Sequence, residues 1–385
     1  MIRTSSGIAW KQLSYHKVKL AVAAAGVVVA VMLMLVQLGI RQGAIDNSVA
    51  IARRITADLV VVSPRTKTIF QSAQFPRRLL YRLPAHPAVE RVQELYMSQA
   101  RWRNPWELRE HPISLFAVDP RDPLMNFPGY SSRASELLEA DRVMFDGMSR
   151  TSYGPVVAYL KTHPWLETEV NLRKVRVIGT VDVGVSISAD GNLFLSPANF
   201  IRLFPARRVG SIDLGLVRLK PGSDVEQTRR ELESYLGSEA RILTKQAIVS
   251  AEELFLRENA PVDFIFGMGA AVGFFIGFVV VYQILYTEVT NHLPQFATMK
   301  AMGFSDFYLL KVVLSQAAIL SVLGYIPGYF LAIALYQVAT KAIQMPFTMT
   351  VERAVMVGTL TLFMCMLSGL IALQKARTAN PADVF

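Results

Sequence analysis

Four stretches of the chain run almost without polar side chains. Leu20 to Ile40 reads LAVAAAGVVVAVMLMLVQLGI, interrupted only by Gln37. That is about the length that crosses a bilayer as a helix. After a long gap come Phe264 to Tyr286, then Val312 to Tyr336, broken by Gly324, Pro327 and Gly328, and then Val355 to Leu373. The pattern predicts a membrane protein with four transmembrane helices, one plus three. The first run is too long for the core of a signal peptide, and no small-residue cleavage site closes it. It continues into RQGAIDNSVAIARRITADL, which reads as helix.

Between the first and second runs the pattern changes to that of a mixed domain. ADLVVVSP (58–65), the stretch after HPAVERVQELYM, and HPISLFAVDP (111–120) read as strands, and Pro76 to Leu83 as a helix. LRKVRVIGTVDVGVSI (172–187) alternates and reads as a strand pair around Gly179. Ser196 is the expected N-cap of a helix in LFLSPANFIRLF. A strand at Asp213–Arg218 meets the turn Pro221-Gly222, and the helix that follows is capped by Ser223 or Asp224 and ended by Gly237. ARILTKQ gives a last strand, and Lys245 to Asn259 a helix leading into the second run. The expected fold class is four transmembrane helices with a large α+β extracytoplasmic domain between the first and second, carried on stalk helices.

Composition agrees. Hydrophobic residues make up 52% and charged residues 18%, against about 25% charged in a soluble domain. The net charge of +10 fits basic flanks facing lipid headgroups, with no nucleic acid as partner. Arg3, Lys11, Lys17 and Lys19 precede the first run with no acidic residue among them, which sets the N-terminus in the cytoplasm. The expected layout is then a cytoplasmic amphipathic segment (1–19), helix one (20–40), the extracytoplasmic domain with its stalks (41–263), helix two (264–286), a cytoplasmic coupling loop (287–311), helix three (312–336), a short external loop (337–354), helix four (355–373) and a cytoplasmic tail (374–385). The protein is expected in the inner (plasma) membrane with its domain in the periplasm. The single cysteine, Cys365, excludes an intrachain disulfide and a cysteine-based zinc site.

Little in the sequence suggests catalysis. There is no H-E-x-x-H or G-x-S-x-G, and His86, His111 and His163 stand apart without metal-ligand spacing. No metal and no catalytic residue is expected. In ARWRNPWELR, the residues Arg101, Trp102, Arg103 and Trp106 mix cations with aromatic faces. They read either as a contact for an amphiphile or a partner, or as a strand end and turn set by Asn104-Pro105. The chain contains no G-x-x-x-x-G-K-[ST], so ATP hydrolysis would need a separate subunit and no cofactor is expected here. The apolar runs carry no Asp, Glu or Arg, which argues against an ion-coupled carrier. Gly269, Gly273 and Gly277 form a small-residue stripe. It reads either as a dimer seam or as packing within the chain.

The loop between the second and third runs is too short for a domain but long enough for a short helix. Phe296, Met299 and Lys300 recur at three- and four-residue spacing and share one face. Such a face fits a groove on a partner or the edge of the bilayer. The segment TEVTNHLPQFATMKAMGFSDFYLLKVVLSQAAILSVLGYIPG resembles the FtsX/MacB-like permease family of ABC transporters. Glu288 matches the acidic residue leaving the second span, and Ala301-Met302-Gly303 the turn that closes the loop helix. HLPQFATMKAMGF, the QLG at Gln37–Gly39, the WRNP at 102–105, the stretch DGMSRTSYGP and the closing ARTANPADVF are similar to the DevC-type branch. MacB itself carries its ATPase on the same chain; the DevC branch does not.

The resemblance implies a permease subunit of a MacB-type exporter that passes the motion of a separate ATPase, which binds ATP and magnesium, to the periplasmic domain. It implies an ATPase-coupling set of Glu288, His292, Leu293, Pro294, Phe296, Met299, Lys300, Met302 and Gly303. It also implies a homodimer, a periplasmic membrane-fusion adaptor, a TolC-like outer-membrane channel, contact with membrane lipid, and a glycolipid or other amphiphile as cargo. The alternative is an FtsX-like transmitter that activates a periplasmic hydrolase. A membrane-anchored enzyme is disfavoured by the missing catalytic motifs.

Overall fold

The computed structural model describes residues 7, 9, 10, 15, 17–121, 123–130, 133–184, 190–208, 210–259, 261–294, 306–343 and 347–378. The chain separates into two compact units. One is built from the four long helices, the other from the residues between Ala44 and Pro261.

The helical unit holds α1 (Lys17–Ser48, which runs on into the second unit), α5 (Val262–Asn291), α6 (Asp306–Ile343) and α7 (Val351–Thr378). All four are long and apolar enough to cross a membrane. Their buried stripe includes Ala23, Val27, Val31, Met34 and Leu35 of α1, Val281 and Leu285 of α5, Ala317 and Leu320 of α6, and Met364 and Cys365 of α7. The opposite face of α5 is bare, with Phe264, Met268, Val272, Phe275 and Val279 all exposed. In a bilayer such a face costs nothing, because lipid tails are as apolar as the side chains.

The second unit is α+β. Its strands are β1 (Leu59–Val62), β2 (Phe75–Pro76), β3 (Val89–Arg103), β4 (Glu110–Ala117), β5 (Arg142–Asp146), β6 (Leu166–Val170), β7 (Arg173–Val181), β8 (Asn192–Leu195), β9 (Ser211–Ile212), β10 (Leu214–Leu219) and β11 (Arg241–Thr244). Nine of them form one sheet in the order β11-β1-β10-β3-β4-β8-β5-β7-β6. The far end of the long strand β3 also pairs with β6, Trp102 opposite Val170, so six strands close on themselves and leave fewer free edges. Helices α2 (Pro197–Leu203) and α3 (Val225–Leu236) start as the sequence predicts. Ser196 accepts from the Asn199 amide at 3.3 Å, and Asp224 from the Gln227 amide at 2.8 Å. Gly237, at φ +61°, ends α3 in the left-handed region that glycine favours. α4 (Lys245–Asn259) follows β11.

One hairpin differs from expectation. The strand pair in this region is β6 with β7, and its turn is Asn171-Leu172, with φ of +51° and +63°. Two left-handed residues in succession make the turn whose twist matches that of the strands. Gly179 lies inside β7 instead, where the pairing to β5 shifts register.

Candidate functional site

Glycine decides how the membrane helices meet. A Cβ added at Gly273 would lie 3.2 Å from Leu33 Cβ and 3.4 Å from the Ala30 carbonyl oxygen of α1. One added at Gly277 would lie 2.6 Å from Ala30 Cβ, and one at Gly269 would strike Gln37, 2.6 Å away. The whole stripe therefore faces α1 of the same chain, and its reading as a dimer seam is corrected to internal packing. α6 does the same from another side: a Cβ at Gly328 would lie 3.0 Å from the Val28 carbonyl oxygen. α1 is thus keyed between two glycine-bearing helices at backbone distance.

Polar groups fasten the outer end of this bundle, and a further polar pair lies at its inner end. At the outer end Arg41 of α1 pairs with Asp263 of α5 at 2.6 Å. Arg353, in the first turn of α7, is buried and donates to the Thr348 carbonyl at 2.9 Å. The Tyr336 hydroxyl of α6 donates to the Leu35 carbonyl of α1. At the inner end Glu288 is buried, 3.0 Å from His292 one turn on, beside the apolar group Val289, Leu310, Val313 and Leu373. Glu288 lies in the last turns of α5, within hydrogen-bond distance of a side chain one turn on. The sequence places charged residues outside the apolar runs, whereas the helices extend to bury Glu288 and Arg353.

Of the coupling set, Glu288, His292, Leu293 and Pro294 are described; Phe296, Met299, Lys300, Met302 and Gly303 lie outside the described residues. One neighbour that sequence reasoning missed is Phe307. It is exposed near the start of α6, with the Lys311 ammonium 4.7 Å from its ring centroid. The signal was an aromatic residue shortly after the loop glycine.

In the outer unit the WRNP segment is a corner of the fold. Trp102 is fully buried and donates its indole N–H to the Tyr153 carbonyl at 3.2 Å. Its reading as a contact residue is corrected: strand alternation turns Trp102 into the core and Arg101 and Arg103 away from it. Arg103 pairs with Glu169 at 2.7 Å and Arg101 with Glu110 at 3.5 Å. Buried Asn104 accepts from the Trp106 amide at 2.9 Å and donates to the Ser152 carbonyl at 2.9 Å. Trp106 is partly exposed, edge-on to Tyr159. Tyr153 and Ser152 belong to DGMSRTSYGP, so these two stretches build one corner. The Asp146 carboxylate that opens the second takes the Met148, Val183 and Gly184 amides and the Asn192 side chain. Burial still holds its pKa above the usual carboxylate value.

On α4 the residues Ile248, Glu252 and Leu256 are buried at four-residue spacing, so a carboxyl sits in the middle of an apolar stripe. It accepts the backbone N–H of Ile69. Burial pushes Glu252 up to about 7, the Ile69 amide opposing. A folded state that keeps a proton the unfolded chain releases is most stable in acid, and it loses that stability as pH rises through 7. At roughly 1.4 kcal/mol per unit, the full chain in detergent should unfold at a lower temperature at pH 8 than at pH 6 when followed by tryptophan fluorescence. Glu252→Gln should flatten the difference. An unchanged pH dependence in that variant would assign it to other groups. Among the described residues, no three His, Cys, Asp or Glu side chains gather as a metal site.

Comparison with known proteins gives two family matches. Residues 20–235 match the MacB-like periplasmic core domain, and residues 267–381 the FtsX-like permease C-terminal region. Similar solved structures include the periplasmic region of MacB from Actinobacillus actinomycetemcomitans, at 13% identity over 54% of this chain and 96% of that one, with a TM-score of 0.37. Another is the extracellular domain of the noncanonic ABC-type transporter YknZ from Gram-positive bacteria, at 11% identity over 49% of this chain and 100% of that one, with a TM-score of 0.35. No curated protein sequence matches significantly.

Proposed function

Because the chain belongs to the MacB-like family and carries an FtsX-like permease region, which makes it the permease component of an ABC transporter, we propose that it transmits ATP-driven motion across the inner membrane for export. It is a multi-pass inner-membrane protein with a large extracytoplasmic domain. In this reading the ATPase is a separate subunit that binds ATP and magnesium and docks on the 287–311 loop. Two copies of the chain work together. The domain hands an amphiphile, such as a glycolipid, to a periplasmic adaptor and a TolC-like channel.

The observation that carries the proposal is the keyed pair α1–α5. Their backbones are in contact through Gly273 and Gly277, and the Arg41–Asp263 pair fastens their outer end. A push on the loop after α5 therefore moves α1 as well. α1 runs as one helix to Ser48, and α4 ends at Asn259 just before α5 begins at Val262. Both stalks are thus continuous in sequence with the moving pair. The DevC-type arrangement rests on the HLPQFATMKAMGF wording.

Affinity purification of the tagged full chain from its native membrane tests this reading. An ABC ATPase and a membrane-fusion adaptor should be recovered with it. Recovery of a cell-wall hydrolase in place of the adaptor would replace export with FtsX-like signalling.

A further inference from the structure

The stretch between β1 and β2, residues 63–74, is a closed loop. Its base is tied by the Ala73 amide donating to Thr66 Oγ1 at 3.1 Å, and its far limb by the Gln71 amide donating to Thr68 Oγ1 at 3.0 Å. Beyond it, β2 pairs with β9. The tip residue, Ile69, is buried and shares an apolar cluster with Ile248 of α4. The loop forms one wall of a cavity of about 260 Å³, whose other wall is the sheet. Ser72 and Gln74 line it from the loop, Gln99 and Ser114 from β3 and β4, and the ion pair Arg207–Asp213, 2.7 Å apart, closes one side. One polar contact links the tip to the stalk helix: the Ile69 N–H donating to Glu252.

We propose that Glu252 is the pin through which the α4 stalk moves the 63–74 loop, so that displacement of the stalk opens and closes this cavity. The inference rests on the stalk motion proposed above and names what that motion acts on. A buried carboxyl in an apolar stripe is costly unless it is hydrogen-bonded; leucine would pack there at lower cost. The partner it takes is a main-chain amide at the tip of a loop whose own ties make it move as a unit. The apolar contact of Ile69 with Ile248 can slide, whereas a directional bond holds register. The neighbouring stalk charges are engaged elsewhere: Glu253 lies 3.6 Å from Arg53, which also meets Asp46 at 3.0 Å. Glu252 is a positioning residue and touches no cargo in this account.

Hydrogen exchange on the full chain in lipid nanodiscs tests the pin. Glu252→Ala should speed exchange of the 65–72 amides by about tenfold, the amount one net hydrogen bond supplies, while β3 and β4 keep their protection. Glu252→Gln, which retains an acceptor, should stay close to the parent. Unchanged protection of 65–72 in Glu252→Ala overturns the proposal. A second arm adds the co-purified ATPase with ATP and vanadate. Residues 245–259 and 65–72 should then respond together in the parent, and only 245–259 in Glu252→Ala. A loop that still follows the stalk in Glu252→Ala, or that ignores it in the parent, overturns the pin alone. If neither stretch responds in the parent, the stalk motion itself fails and the device with it.

Discussion

Gly328→Leu should abolish most of the yield of folded protein, and Gly273→Leu should come close to it. At Gly328 an added side chain begins 3.0 Å from a main-chain carbonyl oxygen and 2.9 Å from Val31 Cβ. Backbone cannot step aside as a flexible side chain can, so α1 would have to move away along its length. Overpacking usually costs about 1–3 kcal/mol, and prising a helix pair apart also forfeits the dispersion attraction between their facing surfaces. That is a large share of a stability of about 5–15 kcal/mol. Gly267→Leu is the control, since a Cβ there meets nothing within 4 Å. Gel-filtration profile and thermal stability in detergent should fall for Gly328→Leu and hold for Gly267→Leu. Equal behaviour of the two would mean that glycine does not key the bundle.

Met299→Asp should leave the chain folded and remove the ATPase. Phe296 and Met299 share a face by spacing alone, on the loop between α5 and α6 where the proposed function docks the ATPase. Truncating a buried apolar anchor costs about 2 kcal/mol or more, roughly thirtyfold in affinity, and a charge in its place costs further. Phe307 is exposed near the start of α6, and Phe307→Ala should weaken binding to a smaller degree. Lys311 lies over the Phe307 ring and is therefore no neutral control; exposed Lys161 of the outer unit is. Binding of the partner ATPase to nanodisc-held variants measures all three, and full binding by Met299→Asp would return the loop to a helix that only covers the bilayer edge.

The apolar runs and helix ends were readable in the sequence because each depends on local chemistry: length against bilayer thickness at Leu20–Ile40, a side-chain acceptor at Ser196 and Asp224, a left-handed residue at Gly237. The glycine stripe was readable as a stripe, but its partner was not, because nothing near Gly273 in sequence points to Ala30 or Leu33. Trp102 was readable either as a contact or as part of a strand end, and the pattern R-W-R already placed the tryptophan on the opposite face from both arginines. The turn at Asn171-Leu172 was hidden because leucine gives no sign of a positive φ. Glu252 was visible as a carboxyl in an apolar stripe at four-residue spacing, but the amide it serves lies more than 180 residues away.

The claim that motion crosses the membrane through this chain is tested most directly by distances between spin labels on the outer unit. Tyr235 is half exposed there, and Tyr235→Cys in a Cys365→Ala background gives one label per chain. In the proposed complex of two copies with the ATPase, ATP and vanadate should shift the distance between the two labels, and Met299→Asp should abolish the shift. A distance that stays fixed while the bound ATPase turns over would contradict transmission.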